Sequence, residues 1–393
     1  MTQSDLLVLG AGPAGSTIAG LAARAGAKVV VLEREQFPRD KVCGEFLSAE
    51  GCAVLNRIGL LDSLKNRGGM AIDGCLIADG RGRTATSPFP DVPQFGRTAL
   101  GISRAMLDAS LATWASSLGA DLRDATHASR PIVEDGRVRG VVARPVDSRG
   151  GHEEYRATLV IAADGRRSML QRALHPGIGD PQRTDPHSWF GLQAHLPDVT
   201  SGLDRRVELY VFDGGYAGLG PVEGVRLNLA LIVRVGALRA AGGTPDDLLR
   251  NRLRGNPAFA ARLGASVPVN GWKTVGPLRF NVRRPASHGA MFLGDAAGTI
   301  DPFAGEGMSN ALRGAEHALP FALQAIERGG LTNAAARAWD RAWRRAFVPV
   351  TRRAGWIGEL LKRPSAAAVA MTIFRLPAGA RVLPRVVAAT RTG

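Results

Sequence analysis

The stretch Asp5 to Glu33, DLLVLGAGPAGSTIAGLAARAGAKVVVLE, leaves the chain few ways to begin folding. An apolar run, Leu6 to Leu9, meets Gly10-Ala11-Gly12-Pro13-Ala14-Gly15 at once. An Ala/Leu-rich helical pattern continues to Ala25, Gly26 stops it, and a second apolar run, Lys28 to Leu32, ends in Glu33. This is strand, glycine turn, helix, strand and acid. Gly10 permits the tight turn, Gly12 lets a pyrophosphate approach the backbone, and Gly15 lets the helix pack against the sheet. The free N–H groups at the helix start then face the phosphates. Glu33, eighteen residues after Gly15, stands where a carboxylate can hold both hydroxyls of an adenosine ribose. A GxGxxG alone is a weak signal. Here the strand, helix and acid accompany it, which favours dinucleotide binding over an ordinary βαβ turn. The stretch does not say which dinucleotide.

The 393 residues suffice for two intimately packed domains or one large one. Cys43, Cys52 and Cys75 are odd in number and clustered early, which argues against a disulfide framework and for a reducing compartment. With the first strand starting at residue 6, a secretory leader is not expected, and the apolar run Ala366 to Phe374 falls short of the roughly 20 residues of a spanning helix. A cytoplasmic protein is expected. The net charge of +15 is uneven: from Arg337 to the end, twelve basic residues face Asp340 and Glu359, a local excess of +10.

After Glu33 comes an irregular loop that carries Arg34, Lys41, Cys43 and Gly44. Such a loop, directly after a nucleotide-binding unit, is where a cofactor's far end would be held. Ser48 reads as the N-cap of a helix from Ala49 to Ile58. Short extended runs, Ala71 to Ala78 and Arg83 to Thr86, precede a proline-dense SPFPDVPQFG. A helix runs from Ser103 to Leu118 with Gly119 as its stop, and Asp135-Gly136 marks a hairpin. Thr158 to Ala163 is a buried-type strand that delivers Asp164-Gly165. Pro176 to Pro186 reads as loop. Ser188 to Val275 reads as strands, with one amphipathic helix from Pro245 to Leu263 capped by Thr244; Arg226 to Val233 alternates as a partly buried antiparallel strand. Ala290 to Leu293 delivers Gly294-Asp295, and a long helix starts near Ser309.

Three strands therefore end in a glycine with an acid or a phosphate-type turn: Gly10 to Gly15, Asp164-Gly165 and Gly294-Asp295. In a doubly wound sheet ligands sit at the carboxyl ends of strands, so the three tips converge. On these motifs the chain, from residue 5 to about 320, resembles the flavoprotein superfamily of aromatic hydroxylases (p-hydroxybenzoate hydroxylase-like), flavin-dependent halogenases and geranylgeranyl reductases. The resemblance implies an α/β fold: a Rossmann-like FAD-binding domain with an inserted antiparallel-sheet substrate domain and a C-terminal helical segment. The expected division is 1–70, 100–186 and 276–330 for FAD, 71–99 and 187–275 for substrate, and 331–393 as the basic segment. It further implies that Glu33 holds the adenosine ribose, Asp295 the ribityl chain, and Asp164 the pyrophosphate region. Arg104 would lie against the phosphates and ribityl chain. Pro302 to Met308 resembles the PxxGxG loop, so Pro302, Gly305, Gly307 and Met308 would face the flavin's pyrimidine edge.

Lys41-Val42-Cys43-Gly44-Glu45-Phe46-Leu47-Ser48 resembles the KVCGExLS segment of geranylgeranyl reductases, where the cysteine lies near the flavin ring and is the candidate catalytic thiol. A free cysteine is more commonly a packing residue, and Cys52 and Cys75 are read so. None of the tryptophans sits in the paired-tryptophan motif of halogenases. Where geranylgeranyl reductases carry a pattern like GYxWxFP, this chain has Gly215-Tyr216-Ala217-Gly218-Leu219-Gly220-Pro221. Tyr216, Gly218, Gly220 and Pro221 thus line a substrate pocket whose large aromatics are replaced by glycine, which implies a wider or differently shaped wall. The histidines His187, His195 and His288 lack metal-ligand spacing and read as surface or packing groups; no metal site is expected.

The expected function is C=C reduction by reduced FAD on a lipophilic polyketide- or isoprenoid-type substrate, free or carrier-tethered. The alternative is hydroxylation of an aromatic or polyketide substrate through a C4a-peroxyflavin, and a third class is a non-catalytic flavoprotein. No second nucleotide-binding unit is visible, so NAD(P)H or another reductant approaches transiently. The basic end reads first as a solvated helical face, dispensable for flavin binding from about Pro364. Its mix of arginines and apolar residues also permits peripheral contact with an anionic membrane or an acidic carrier protein. Nucleic acid is not expected, since the charge is not interleaved with aromatics.

Overall fold

The computed structural model describes residues 2–146, 151–176, 184–197, 205–224, 226–264, 266–269, 271–376 and 379–391. The opening stretch forms strand Thr2–Leu9, helix Pro13–Arg24 and strand Val29–Leu32. The first strand is central: it pairs in parallel with Val29–Leu32 on one side and Glu153–Ala162 on the other. Ala290–Phe292 extends the sheet beyond Glu153–Ala162, and Asp121–Arg123 extends it beyond Val29–Leu32. All three glycine-bearing tips therefore emerge at one edge. The Thr126–Glu134 and Arg137–Pro145 hairpin, turned at Asp135-Gly136 with both φ positive, joins this sheet antiparallel.

Strands buried on both faces read as continuous apolar runs because helices cover both sides. Leu6, Leu7, Val8, Val30, Leu159, Val160 and Met291 are buried here. Helix Pro13–Arg24 packs against the long helix Gly307–Glu327, whose Ala311, Ala315, Ala318 and Ala322 let the two approach. Close approach also explains Gly20, where an added Cβ would stand 2.2 Å from the Trp114 ring.

A seven-stranded sheet forms the second layer. The segment after residue 71 and the strands after residue 188 build it together: Gly74–Ala78 pairs in parallel with Arg206–Phe212. In strand Arg226–Arg234, Leu227, Leu229, Leu231 and Val233 enter a core shared with helices Pro245–Leu248 and Pro257–Leu263. Alternation suggested one wet face. Both are covered, because Ala230 and Ile232 face a cavity between the sheets. The single helix expected from Pro245 to Leu263 is in pieces. Thr244 caps the first with a full capping box, and the last restarts at Pro257 with Asn256 as its cap. Proline supplies no N–H for a continuing helix and fits its first turn.

The C-terminal region is less solvated than expected. Helix Asn333–Leu361 buries Trp339, Trp343 and Phe347 in the dinucleotide-domain core. Helices Pro364–Arg375 and Gly379–Ala389 cross to the other layer, where Met371, Leu383 and Val387 pack with Phe46, Ile72, Cys75 and Phe89. This packing corrects the expectation that residues from Pro364 onward form an ordinary solvated helical face. No helix among the described residues is long and apolar enough to cross a membrane.

Candidate active site

A continuous cavity of about 360 Å³ runs between the layers. At one end it is lined by Gly12, Pro13, Ala14, Lys41, Gly44, Arg104, Gly165, Gly294 and Asp295, and along its middle by Pro302, Gly305, Gly307 and Met308. Local stereochemistry places these groups. Gly10 has φ +90°, and a Cβ on Gly15 would fall 1.8 Å from the Gly10 carbonyl oxygen, so turn and helix can meet only through glycine. Gly12 is open on its ligand side: a Cβ there would meet only the Arg39 and Arg104 guanidinium groups, at 3.7 and 3.8 Å.

Those two arginines are held by acids. Arg104 forms a fork to Asp108 (2.9 and 2.6 Å), four residues on along its helix, and Arg39 reaches Asp108 at 3.1 Å and Glu33 at 3.4 Å. Asp108 is fully buried, so the Arg104 proton is held more firmly than in water. Glu33 accepts from the Ala11 N–H at 2.8 Å and from the Glu35 N–H at 3.0 Å, so its carboxylate is tied to the glycine turn and lies outside the cavity lining. Burial lowers the Lys41 pKa, and the Arg104 charge adds to that effect. The Asp295 carboxylate makes no hydrogen bond or ion pair among the described residues, and the Thr299 hydroxyl in the cavity wall is buried without a partner. Backbone room at Gly12, two guanidinium groups beside it and unclaimed polar atoms farther along fit FAD.

Not every expected cofactor residue touches this channel. Arg34 points outward, paired with Glu35 and 65% exposed. Asp164 turns away: its Oδ2 accepts from the Met169 N–H at 2.8 Å and steadies the turn behind Gly165, while burial raises its pKa. Gly10 shapes the turn without lining the cavity. Pro221 also lies outside it, with its carbonyl against Gly101.

Cys43 stands where the two layers meet. Its N–H donates to Gln193 Oε1 (3.1 Å) and its carbonyl accepts from Asn228 Nδ2 (3.0 Å), both on the second sheet, while Lys41 remains over Gly165. Burial pushes the Cys43 thiol up, against the pull of the Arg104 charge, so the sulfur is a neutral S–H group. Neighbouring Glu45 has φ +52°, rare for a side-chain-bearing residue. Its carboxylate accepts from the Arg104 N–H at 3.1 Å and contacts His195 Nε2 at 2.7 Å, so the bend is pinned from both layers. His195 thus ties the second sheet to the Lys41–Ser48 segment through Glu45. Ser48 precedes a helix as expected, yet its hydroxyl makes no cap bond; it bonds Glu306 and Ser309 instead.

On the side of the seven-stranded sheet the same cavity forms a largely apolar chamber. Cys75, Ile77, Val207 and Leu209 form part of its wall, with Tyr216, Gly218 and Gly220. A Cβ on Gly218 would meet nothing closer than 3.7 Å, and one on Gly220 would meet Val207 at 3.2 Å. The Tyr216 hydroxyl donates to Asp301 (3.2 Å), and Asp301 pairs with Lys362 at 2.5 Å. The charge on Asp301 and burial both hold Tyr216 protonated.

Arg39, Asp108, Glu45, Asp301 and Lys362 were not singled out from the sequence. The spacing of Arg104 and Asp108 matches a helical ion pair and could have been noticed. Lys362 meets Asp301 only through the tertiary fold.

Comparison with known proteins agrees with the site. The model of the family described as FAD binding domain matches residues 3–340. Over 364 residues the chain is 30% identical to a menaquinone reductase of Mycolicibacterium smegmatis, covering 87% of this chain and 80% of that one. It is 29% identical to digeranylgeranylglycerophospholipid reductase 1 of Methanopyrus kandleri over 91% of each. A geranylgeranyl bacteriochlorophyll reductase-like protein of Thermoplasma acidophilum superposes with TM-score 0.80 at 22% identity, covering 99% of this chain and 96% of that one. A flavin-dependent brominase shares the fold equally well, with TM-score 0.82 at 17% identity over 100% and 95%. The chain belongs to the FAD-binding domain family and is an FAD-dependent oxidoreductase.

Proposed function

We propose that the enzyme reduces a C=C bond of a lipophilic, isoprenoid-type substrate. The observation that carries this reading is the placement of Lys41 to Ser48, which joins the dinucleotide channel to the apolar chamber and presents a neutral thiol at the junction. Bound FAD supplies hydride from its reduced ring. The chain's own residues orient the alkene against the chamber wall, exclude water through Ile77, Val207 and Leu209, and place the Cys43 S–H as a proton source for the second carbon. The names of the relatives, menaquinone reductase and digeranylgeranylglycerophospholipid reductase 1, give isoprenoid-bearing substrates and support the same substrate class. NAD(P)H or another reductant delivers electrons in a transient encounter.

The test is anaerobic. Dithionite-reduced holoenzyme is mixed with geranylgeraniol or a short-chain menaquinone while the oxidised-flavin absorbance is followed. Its return without oxygen, with a saturated product, supports the reading. Reoxidation by oxygen alone, with a hydroxylated product, assigns the enzyme to the monooxygenases instead.

The same substrate class suits docking on an anionic lipid surface. Trp356, Leu360, Val369, Ile373 and Val382 are exposed on the last three helices, beside exposed Arg363, Arg375, Arg381 and Arg385. An apolar stripe flanked by arginines gains both insertion and charge attraction at such a surface. Co-sedimentation with vesicles containing phosphatidylglycerol, weakened by salt and by Trp356→Ala, is expected; equal sedimentation with neutral vesicles would count against it.

A further inference from the structure

We propose that the apolar chamber receives a substrate that ends in a carboxylate, bound by the guanidinium of Arg391. Arg391 closes the last described turn of the chain and lines the chamber beside Val387 and Thr390. It is 6% exposed, and its Nη1 atom is buried without a partner. Its guanidinium makes no hydrogen bond or ion pair among the described residues. What holds it is stacking: its central carbon lies 3.8 Å from the Phe89 ring centroid and 4.9 Å from that of Phe46. Two rings fix the plane of the fork while leaving its edge free to bond an oxyanion.

A buried arginine without a counter-ion is costly, and a ligand anion relieves that cost. The nearby carboxyl of Glu306 does not neutralise it near neutral pH, because burial and Glu50 push the Glu306 pKa up to about 8. The other cations lining the cavity, Lys41, Arg104 and Arg166, stand at the dinucleotide end. Glu208, also in the lining, is engaged by Arg262 and Tyr210, so the Arg391 guanidinium is left to balance one negative charge. A carboxylate carries one and matches the fork, whereas a phosphate monoester such as farnesyl phosphate carries more charge than a single arginine meets.

This assignment rests on the chamber being the substrate site, and its test reads binding, not turnover. Farnesoic acid, methyl farnesoate and farnesyl phosphate are titrated calorimetrically into the oxidised holoenzyme. The acid is expected to bind about tenfold tighter than the ester, the step a charge-assisted hydrogen bond provides. Arg391→Met should abolish that preference, and Arg391→Lys should restore part of it. Equal affinity for acid and ester, no acid binding up to its solubility limit, or tighter binding of the phosphate each overturns the proposal. The acid–ester comparison on the unmodified protein stands even where a variant fails to fold. Loss of the acid preference with alkene-dependent reoxidation intact would refute the carboxylate alone; an acid preference without such reoxidation would refute the reductase reading alone.

Discussion

Glu306→Gln should make the protein more stable at neutral pH, and the gain should vanish in acid. Glu306 lies in the loop that leads into helix Gly307–Glu327 and is 1% exposed. One oxygen accepts from the Ser48 hydroxyl at 3.2 Å, and the other is buried without a partner. Burial raises its pKa first, and Glu50 on the adjoining helix adds to that; Arg391, the Ser48 bond and Arg313 oppose them, and the value settles at about 8. In the unfolded chain the same group ionises at its ordinary value of about 4.5. The folded form therefore binds the proton more tightly, and stability is lost as pH rises from the unfolded pKa to the folded one. At pH 7 the unfolded state has already gained the free energy of ionisation, a penalty on folding of about 3 kcal/mol. Glutamine keeps the shape and cannot ionise. Urea unfolding of wild type and variant, with FAD at fixed excess, should give equal stabilities near pH 4.5, diverging by about 1.4 kcal/mol per pH unit until near pH 8. A difference that stays constant across that range would refute the buried-acid reading.

Two further substitutions probe the chamber and its support. Gly218→Trp fills open space in the wall, so flavin content should be retained while KM for an isoprenoid substrate rises at least about tenfold; unchanged kinetics would show that substrate does not pass this strand. Lys362→Met leaves Asp301 buried and uncompensated, which should cost about 3–5 kcal/mol in denaturant unfolding. Asp301→Asn should recover part of that loss in the double variant, and a cost below about 1 kcal/mol would show that the pair is not coupled.

The glycine turn, its helix and the acid at Glu33 were legible because each rests on local rules: glycine where a Cβ clashes, an apolar run where both faces are covered, a cap where N–H groups need partners. Asp164 was legible as a strand-tip acid, whereas only the turn geometry shows one of its carboxylate oxygens accepting from the Met169 N–H. Ser48 shows the same division: its position before a helix was legible, whereas the target of its hydroxyl, Ser309, lies 261 residues away.

The sequence alone determined the dinucleotide unit, the convergence of three strand tips and the segment from Lys41 to Ser48, because each is encoded within a few residues. The tertiary structure decided the rest of the site. Arg39 and Asp108 join Glu33 and Arg104 in one buried network. Lys362 reaches Asp301 across 61 positions, and Arg391 returns from the chain's end to stack on Phe46 and Phe89. Burial, not residue type, then sets what those groups do: the same carboxyl is an exposed anion on a surface helix and a neutral acid at Glu306. No local pattern carries that information, because the low-dielectric surroundings come from residues hundreds of positions away.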